Sequence, residues 1–141
     1  MDHNEYEPLR REYSRIASQY DTRWKFYVEA SIRETLRRLP VAPGDRVLDV
    51  GCGTGSLLEA LSLAAPRTKL SGVDLSGEML EVGRRRLGAA IDLRQASAET
   101  LPFGDGAFDA VVSTNVFHFI RHPVAALQEM RRVSKPSGRV V

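Results

Sequence analysis

Only one cysteine, Cys52, stands in the 141 residues, so no disulfide can form within the chain and a disulfide scaffold is excluded. That thiol and the histidines His3, His118 and His122 show no metal-ligand spacing, and no metal is expected. No apolar run approaches the roughly 18 residues of a membrane span. The start, MDHNEYEPLRREYS, lacks the basic and apolar blocks of a secretion signal. The expectation is a cytoplasmic address, with any lipid contact peripheral. Net charge is also small, at +2, and the arginines are spread along the chain rather than gathered beside aromatics, so nothing calls for nucleic acid as a partner. The densest run, GRRRLG at 83–88, reads as the basic last turn of a helix, where cations complement the macrodipole. Repeats, low-complexity tracts and dividing linkers are missing as well.

What is present is 43% hydrophobic and 27% charged, the profile of a single globular domain with one core. A chain of this size can bury roughly two thirds of its unfolded surface. Residues 8–18 read as a short helix. Asp21 or Thr22 can cap a second helix whose apolar stripe is Trp24, Val28, Ile32, Leu36 and Leu39, stopped by Pro40 and the APG turn. From Arg46 the pattern changes to short apolar runs alternating with amphipathic helices. RVLDV is a buried strand, and Ser56 with Glu59 forms a capping box for a helix carrying Leu57, Leu58 and Leu61. KLSGVDL is a second strand, and Ser76 caps a helix bearing Met79, Leu80 and Leu87. AIDLRQA alternates as a strand near a sheet edge would, and AFDAVVS follows the PFGDG turn as another strand. Pro123 opens a helix with Val124, Leu127, Met130 and Val133 on one stripe, after which KPSG turns the chain into RVV, an unfinished strand.

Strict alternation of strand and helix predicts an α/β, doubly wound, mainly parallel sheet with helices on both faces. We divide the single structural domain into N-terminal helices over 1–44 and an α/β body over 45–141. In such folds ligands sit beyond the carboxyl ends of the strands, and the first strand-to-helix turn here is GCGTG, with Gly51, Gly53 and Gly55. Glycine permits positive φ and lets a ligand approach the backbone. A nicotinamide dinucleotide uses a GxGxxG loop with an acidic residue about 20 positions on, and Asp74 meets that second condition. The glycines do not, since they read GxGxG. Asp49, moreover, would repel a pyrophosphate and attract a ligand bearing an ammonium group.

These segments resemble the class I S-adenosylmethionine-dependent methyltransferases. VLDVGCGTG is similar to their first motif, GVDLSGEML to the second, ASAETLPFGDGAFDAVVS to the third and fourth strand region, and EMRRVSKPSGRVV to the entry to the fifth strand. The leading IASQYDTRW is similar to the small-molecule branch that includes quinone-biosynthesis methyltransferases. The resemblance implies a Rossmann-like fold, S-adenosyl-L-methionine as cofactor and S-adenosyl-L-homocysteine as product. It implies that Gly51, Cys52, Gly53 and Gly55 line the methionine part, that Asp49 lies near its ammonium, and that Asp74 accepts both ribose hydroxyls. Leu75 and Met79 would flank the adenine. Ser97 stands where relatives often carry Asp for the adenine amino group, a departure that leaves a neutral hydrogen bond, while the Ala98 backbone could pair with the ring. Asn115 would face the amino-acid part or serve as a turn residue.

Methyl transfer from a sulfonium removes positive charge from an already activated leaving group, so alignment is the main task, contributing roughly 7–11 kcal/mol. A base is needed only where the acceptor must lose a proton. His118 is the first candidate by resemblance, the other reading being a ring packed between Phe117 and Phe119; Tyr20 could hydrogen-bond cofactor or acceptor. His122 reads as a helix-entry residue and His3 as part of a frayed start. Trp24, Phe26, Tyr27, Phe117 and Phe119 could wall a small apolar acceptor or simply pack in the core. The family's sheet has seven strands and this sequence stops in the fifth, so a fragment of a longer protein, or a homo-oligomer or partner covering the open edge, is expected. Three functions remain in play: a small-molecule methyltransferase, a cofactor-binding module with little turnover, and a nicotinamide reductase.

Overall fold

Residues 7–141 are described by a computed structural model of the chain; His3 lies outside them. The body is a five-stranded parallel sheet in the order β3-β2-β1-β4-β5, formed by β1 (Arg46–Val50), β2 (Lys69–Asp74), β3 (Asp92–Gln95), β4 (Phe108–Val112) and β5 (Ser134–Val140). The helices are α1 (Glu7–Ile16), α2 (Tyr20–Arg23), α3 (Lys25–Arg38), α4 (Ser56–Ala64), α5 (Gly77–Leu87) and α6 (Pro123–Val133), with 3₁₀ turns at Ala17–Gln19 and Phe117–Phe119.

Alternation along β1 sorts the core onto two faces. Val47 joins Leu57, Leu58, Leu61, Leu80 and Val112 in a cluster under α4 and α5, which Ile32 and Leu36 of α3 extend. Leu48 and Val50 join Phe108, Val111, Met130 and Val133 under α6. This is the doubly wound α/β arrangement expected, and β3 forms one edge of the sheet. The order reverses between β1, whose first neighbour is β2, and β4, which joins β1 from the other side; that reversal opens a crevice at their carboxyl ends.

Several local expectations are corrected. Asp21 and Thr22 do not cap α3, whose N-cap is Trp24 without a side-chain bond; Asp21 lies inside α2 and turns its carboxylate toward Thr54 and Ser56. Ser56 does not form a capping box. The N-cap of α4 is Gly55, in the left-handed region at φ 84°, which shifts Ser56 into the helix and frees its hydroxyl for Asp21. The α3 stripe begins at Val28, because Trp24 is exposed. In α6 the buried positions are Ala126, Met130 and Val133, whereas Val124 and Leu127 face outward. The small Ala126 lets that helix lie on the sheet. KPSG is not a turn before a strand, because β5 starts directly at Ser134. Between Phe108↔Ser134 and Ala110↔Arg139 the pairing slips, so KPSG forms an irregular stretch inside the strand. Gly138 permits that crowding, since a Cβ there would come within 2.9 Å of the Lys135 carbonyl oxygen. The expected cap of α5 is present: Ser76 Oγ accepts from Met79 N at 3.1 Å, answering one of the first-turn donors.

Candidate functional site

The chain leaves β1 at Val50 and bends toward β2, with Gly51 N and Cys52 N both donating to the Val73 carbonyl at 2.8 and 2.9 Å. It then turns back into α4 with Gly51, Gly53 and Gly55 all at positive φ. The three glycines differ in purpose. A Cβ on Gly51 would meet Val116 at 2.4 Å and one on Gly55 would meet Leu87 at 2.6 Å, so these two exist for close packing. A Cβ on Gly53 meets nothing within 4 Å; it would project into open space. That space is an open cleft bordered by the glycine loop, the ends of β1 and β2, the turn after β4 and the N-terminal helices.

Asp49 and Asp74 set the electrostatics of the cleft. Asp49 occupies a position in β1 whose alternation faces the apolar core under α4, yet it carries a carboxyl group that is 2% exposed. Its Oδ1 is fully buried and has no hydrogen-bond partner among the described residues. Burial first, and the Asp74 carboxylate second, push the Asp49 carboxyl from 3.8 up to about 7. An orphaned buried acceptor is costly, and a cationic ligand group at the cleft would answer it. Asp74, at the end of β2, is better supplied: Oδ2 accepts from Gly53 N and Oδ1 from Ser76 N, each at 2.9 Å. Burial raises its pKa while these backbone donors oppose the rise. One oxygen anchors the glycine loop and the other the start of α5, and each retains a lone pair for a ligand hydroxyl.

Of the residues singled out in the sequence, Asp49, Gly51, Cys52, Gly53, Asp74, Leu75, Met79, Ser97, Ala98, Asn115 and Tyr20 line the cleft. Gly55 does not; it packs against α5 instead. Asn115, the one non-glycine residue at positive φ among those described (59°), donates through Nδ2 to Ser31 Oγ at 2.9 Å, tying the turn after β4 to α3. Ser97 Oγ accepts from Glu99 N at 3.1 Å, which leaves its hydroxyl hydrogen free to donate. Cys52 is buried, and burial raises its thiol pKa well above the ordinary value, so no thiolate is available there.

His118 is exposed and outside the cleft lining, its ring tilted against Phe119 at 3.9 Å between centroids. The expected facing of His118 into the cleft is therefore corrected: the 3₁₀ turn at 117–119 sends Phe119 inward in its place. Trp24, Phe26 and Tyr27 are exposed to 45, 87 and 57% and do not wall the cleft, and Phe117 packs against the α6-side core. The aromatic wall is Tyr13, Tyr20 and Phe119, with Tyr13 and Phe119 meeting edge-on at 5.3 Å. Burial raises the phenol pKa of both Tyr13, to about 12, and Tyr20, so each stays a hydrogen-bond donor at neutral pH. Sequence reasoning missed Tyr13, Ser31, Ile32 and Thr114, which also line the cleft. Tyr13 and Ile32 sit on helical stripes that read as ordinary packing.

Comparison with known proteins places this geometry. A family model described as a methyltransferase domain matches residues 48–141. A demethylmenaquinone methyltransferase of Symbiobacterium thermophilum is 37% identical over 94% of this chain and 57% of its own length. A ubiquinone/menaquinone biosynthesis C-methyltransferase of Geotalea daltonii is 32% identical over 96% of this chain and 62% of its own. The chain thus spans about half to three fifths of the length of the curated relatives it matches. Among solved structures, the methyltransferase component of a complex with the Haloferax volcanii Trm112 methyltransferase activator superposes with a TM-score of 0.82 at 29% identity, covering 90% of this chain and 57% of that one. Among the described residues no helix is long and apolar enough to cross a membrane. With the motif order, the parallel sheet and the match over its α/β body in agreement, the chain belongs to the methyltransferase-domain family of class I S-adenosylmethionine-dependent enzymes.

Proposed function

We propose that this chain holds S-adenosyl-L-methionine in the crevice between β1 and β4, for methyl transfer to a small, apolar, quinone-like acceptor. The observation that carries the reading is Asp49 Oδ1, a buried acceptor without a partner among the described residues, beside a glycine loop whose Gly53 leaves room for a ligand. An ammonium fits there and a diphosphate does not. Asp74 accepts the ribose hydroxyls, Leu75 and Met79 flank the adenine, and Ser97 and the Ala98 backbone meet its edge. Gly51, Cys52 and Asn115 border the amino-acid part. When bound, the cofactor supplies a methyl group on a sulfonium, already activated for displacement.

The protein's share is alignment and exclusion of water. Tyr13, Tyr20 and Phe119 form an apolar wall with protonated phenols, suited to a flat, greasy acceptor. The names of the curated relatives support an acceptor of quinone type. Tyr20 acts as a hydrogen-bond donor rather than a base, and the exposed His118 is not assigned the base role.

Calorimetric titration of this chain tests the reading. S-adenosylhomocysteine is expected to bind with micromolar affinity, Asp74→Ala to weaken it at least about tenfold through loss of a charged acceptor, and NAD to give no heat. Unchanged affinity in the variant, or binding of NAD instead, would overturn it. Because the chain spans about half to three fifths of its relatives' length, turnover on demethylated quinones is a separate arm, run on the longest available form of the protein.

A further inference from the structure

One cluster of charged and hydroxyl side chains joins three segments far apart in sequence. Asp21, in α2, accepts through Oδ1 from Thr54 Oγ1 at 2.7 Å and Ser56 Oγ at 3.0 Å, and pairs through Oδ2 with the Arg86 guanidinium of α5. Arg86 Nη1 also donates to Ser56 Oγ at 2.7 Å, and its Nε lies 3.6 Å from Glu59 of α4. The cluster is mostly withdrawn from water: Thr54 is 2% exposed, and the Arg86 and Asp21 side chains 23% and 31%.

Thr54 and Ser56 flank Gly55, so the N-terminus of α4 has no cap of its own. Asp21 supplies a carboxylate there from another part of the chain, where the helix dipole favours negative charge. Immediately before it, Tyr20 lines the cleft, as do Leu9, Arg10 and Tyr13 of α1. α1 buries no residue fully, and polar bonds at its outer end hold it: Ser14 Oγ donates to Glu78 at 2.6 Å and sits 3.0 Å from Ser76 Oγ. The segment 7–23 is therefore a strap over the cleft, held by the buried Ala17 and the Tyr13 ring contacts and fastened by hydrogen bonds at Ser14 and Asp21.

We infer that Asp21 is a positioning residue that, with Arg86, latches this strap to the glycine loop, so that covering the cleft and ordering the loop are one event. The inference rests on the cofactor reading for its ligand arm only. A ligand beneath the strap then stabilises the latch, and the latch slows the ligand's departure by the same coupling free energy.

The test uses S-adenosylhomocysteine as probe with wild type, Asp21→Asn, Arg86→Met, the double variant and Arg86→Lys. Asp21→Asn and Arg86→Met are each expected to raise the dissociation rate about tenfold with little change in association rate, since losing one partner of a withdrawn charge pair acts mainly on escape. The double variant should be no worse than either single, and Arg86→Lys should recover part of the loss by keeping the charge without the planar fork. Without ligand, amide exchange should rise over 7–24 and 51–57 and stay unchanged in β1, β2 and β4. Fully additive effects, unchanged rates and exchange, or exchange rising through the whole sheet would overturn the latch. A wild type that ignores the probe would fell the cofactor reading instead, and the ligand-free exchange would still decide the latch.

Discussion

Asp49 couples binding and stability in opposite directions. The fold raises its carboxyl pKa from 3.8 to about 7, so the native state prefers the neutral form. Its contribution to stability is complete below the ordinary carboxylate range and is lost as pH rises toward about 7, at most on the order of 4 kcal/mol from a shift of about three units. A cationic ligand wants the ionised form. Affinity for S-adenosylhomocysteine should therefore climb between pH 6 and pH 8, close to tenfold per unit below the pKa, with proton release visible in buffers of different ionisation heat. Asp49→Asn should flatten that profile, weaken binding at pH 8, and raise the midpoint of thermal unfolding of the ligand-free chain at pH 8. A variant that binds as tightly as wild type at pH 8 would remove the carboxylate from the site.

Single helices show what local rules can and cannot decide. Ser76 caps α5 by accepting from Met79 N, and its hydroxyl also meets Ser14 of the strap. Ser76→Ala is expected to cost about 1 kcal/mol in urea unfolding, the usual loss for a cap. That cap was legible because its partner lies three residues away. The strands and the glycine loop were legible for a similar reason, since alternation and turn chemistry act over a few positions. The outward facing of Val124 and Leu127 was not, because periodicity tells which residues share a stripe and not which stripe the sheet covers. Trp24, on the expected stripe of α3 yet 45% exposed, illustrates the same limit. In the cleft, Asp49 and Asp74 stand next to strand ends and declare themselves. The pair Asp21 and Arg86, 65 positions apart, carries no local signal, and only the packing of α1 and the 3₁₀ turn at Ala17–Gln19 against α5 brings it together.

At the scale of the whole molecule, two cores share one sheet. Leu58 lies in the cluster under α4 and α5, Phe108 in the cluster under α6, and both are fully buried. Leu58→Ala should cost about 2–5 kcal/mol and Phe108→Ala about 3–5 kcal/mol. Placed on opposite faces, the losses should add. Their sum approaches the whole stability of about 5–15 kcal/mol usual for a domain, so the double variant is expected to lose its cooperative urea transition while each single keeps one.

The strand order also has a consequence for birth on the ribosome. β1 sits at the centre, yet the neighbour on its second side, β4, begins only at Phe108. At a synthesis rate of about 5–20 residues per second, several seconds pass between the emergence of one and the other. During that interval Val47, Leu48 and Val50 belong to a strand with one bare margin. Nascent chains of this protein therefore expose an adhesive ribbon that chaperones can grip until the fourth strand arrives to seal it.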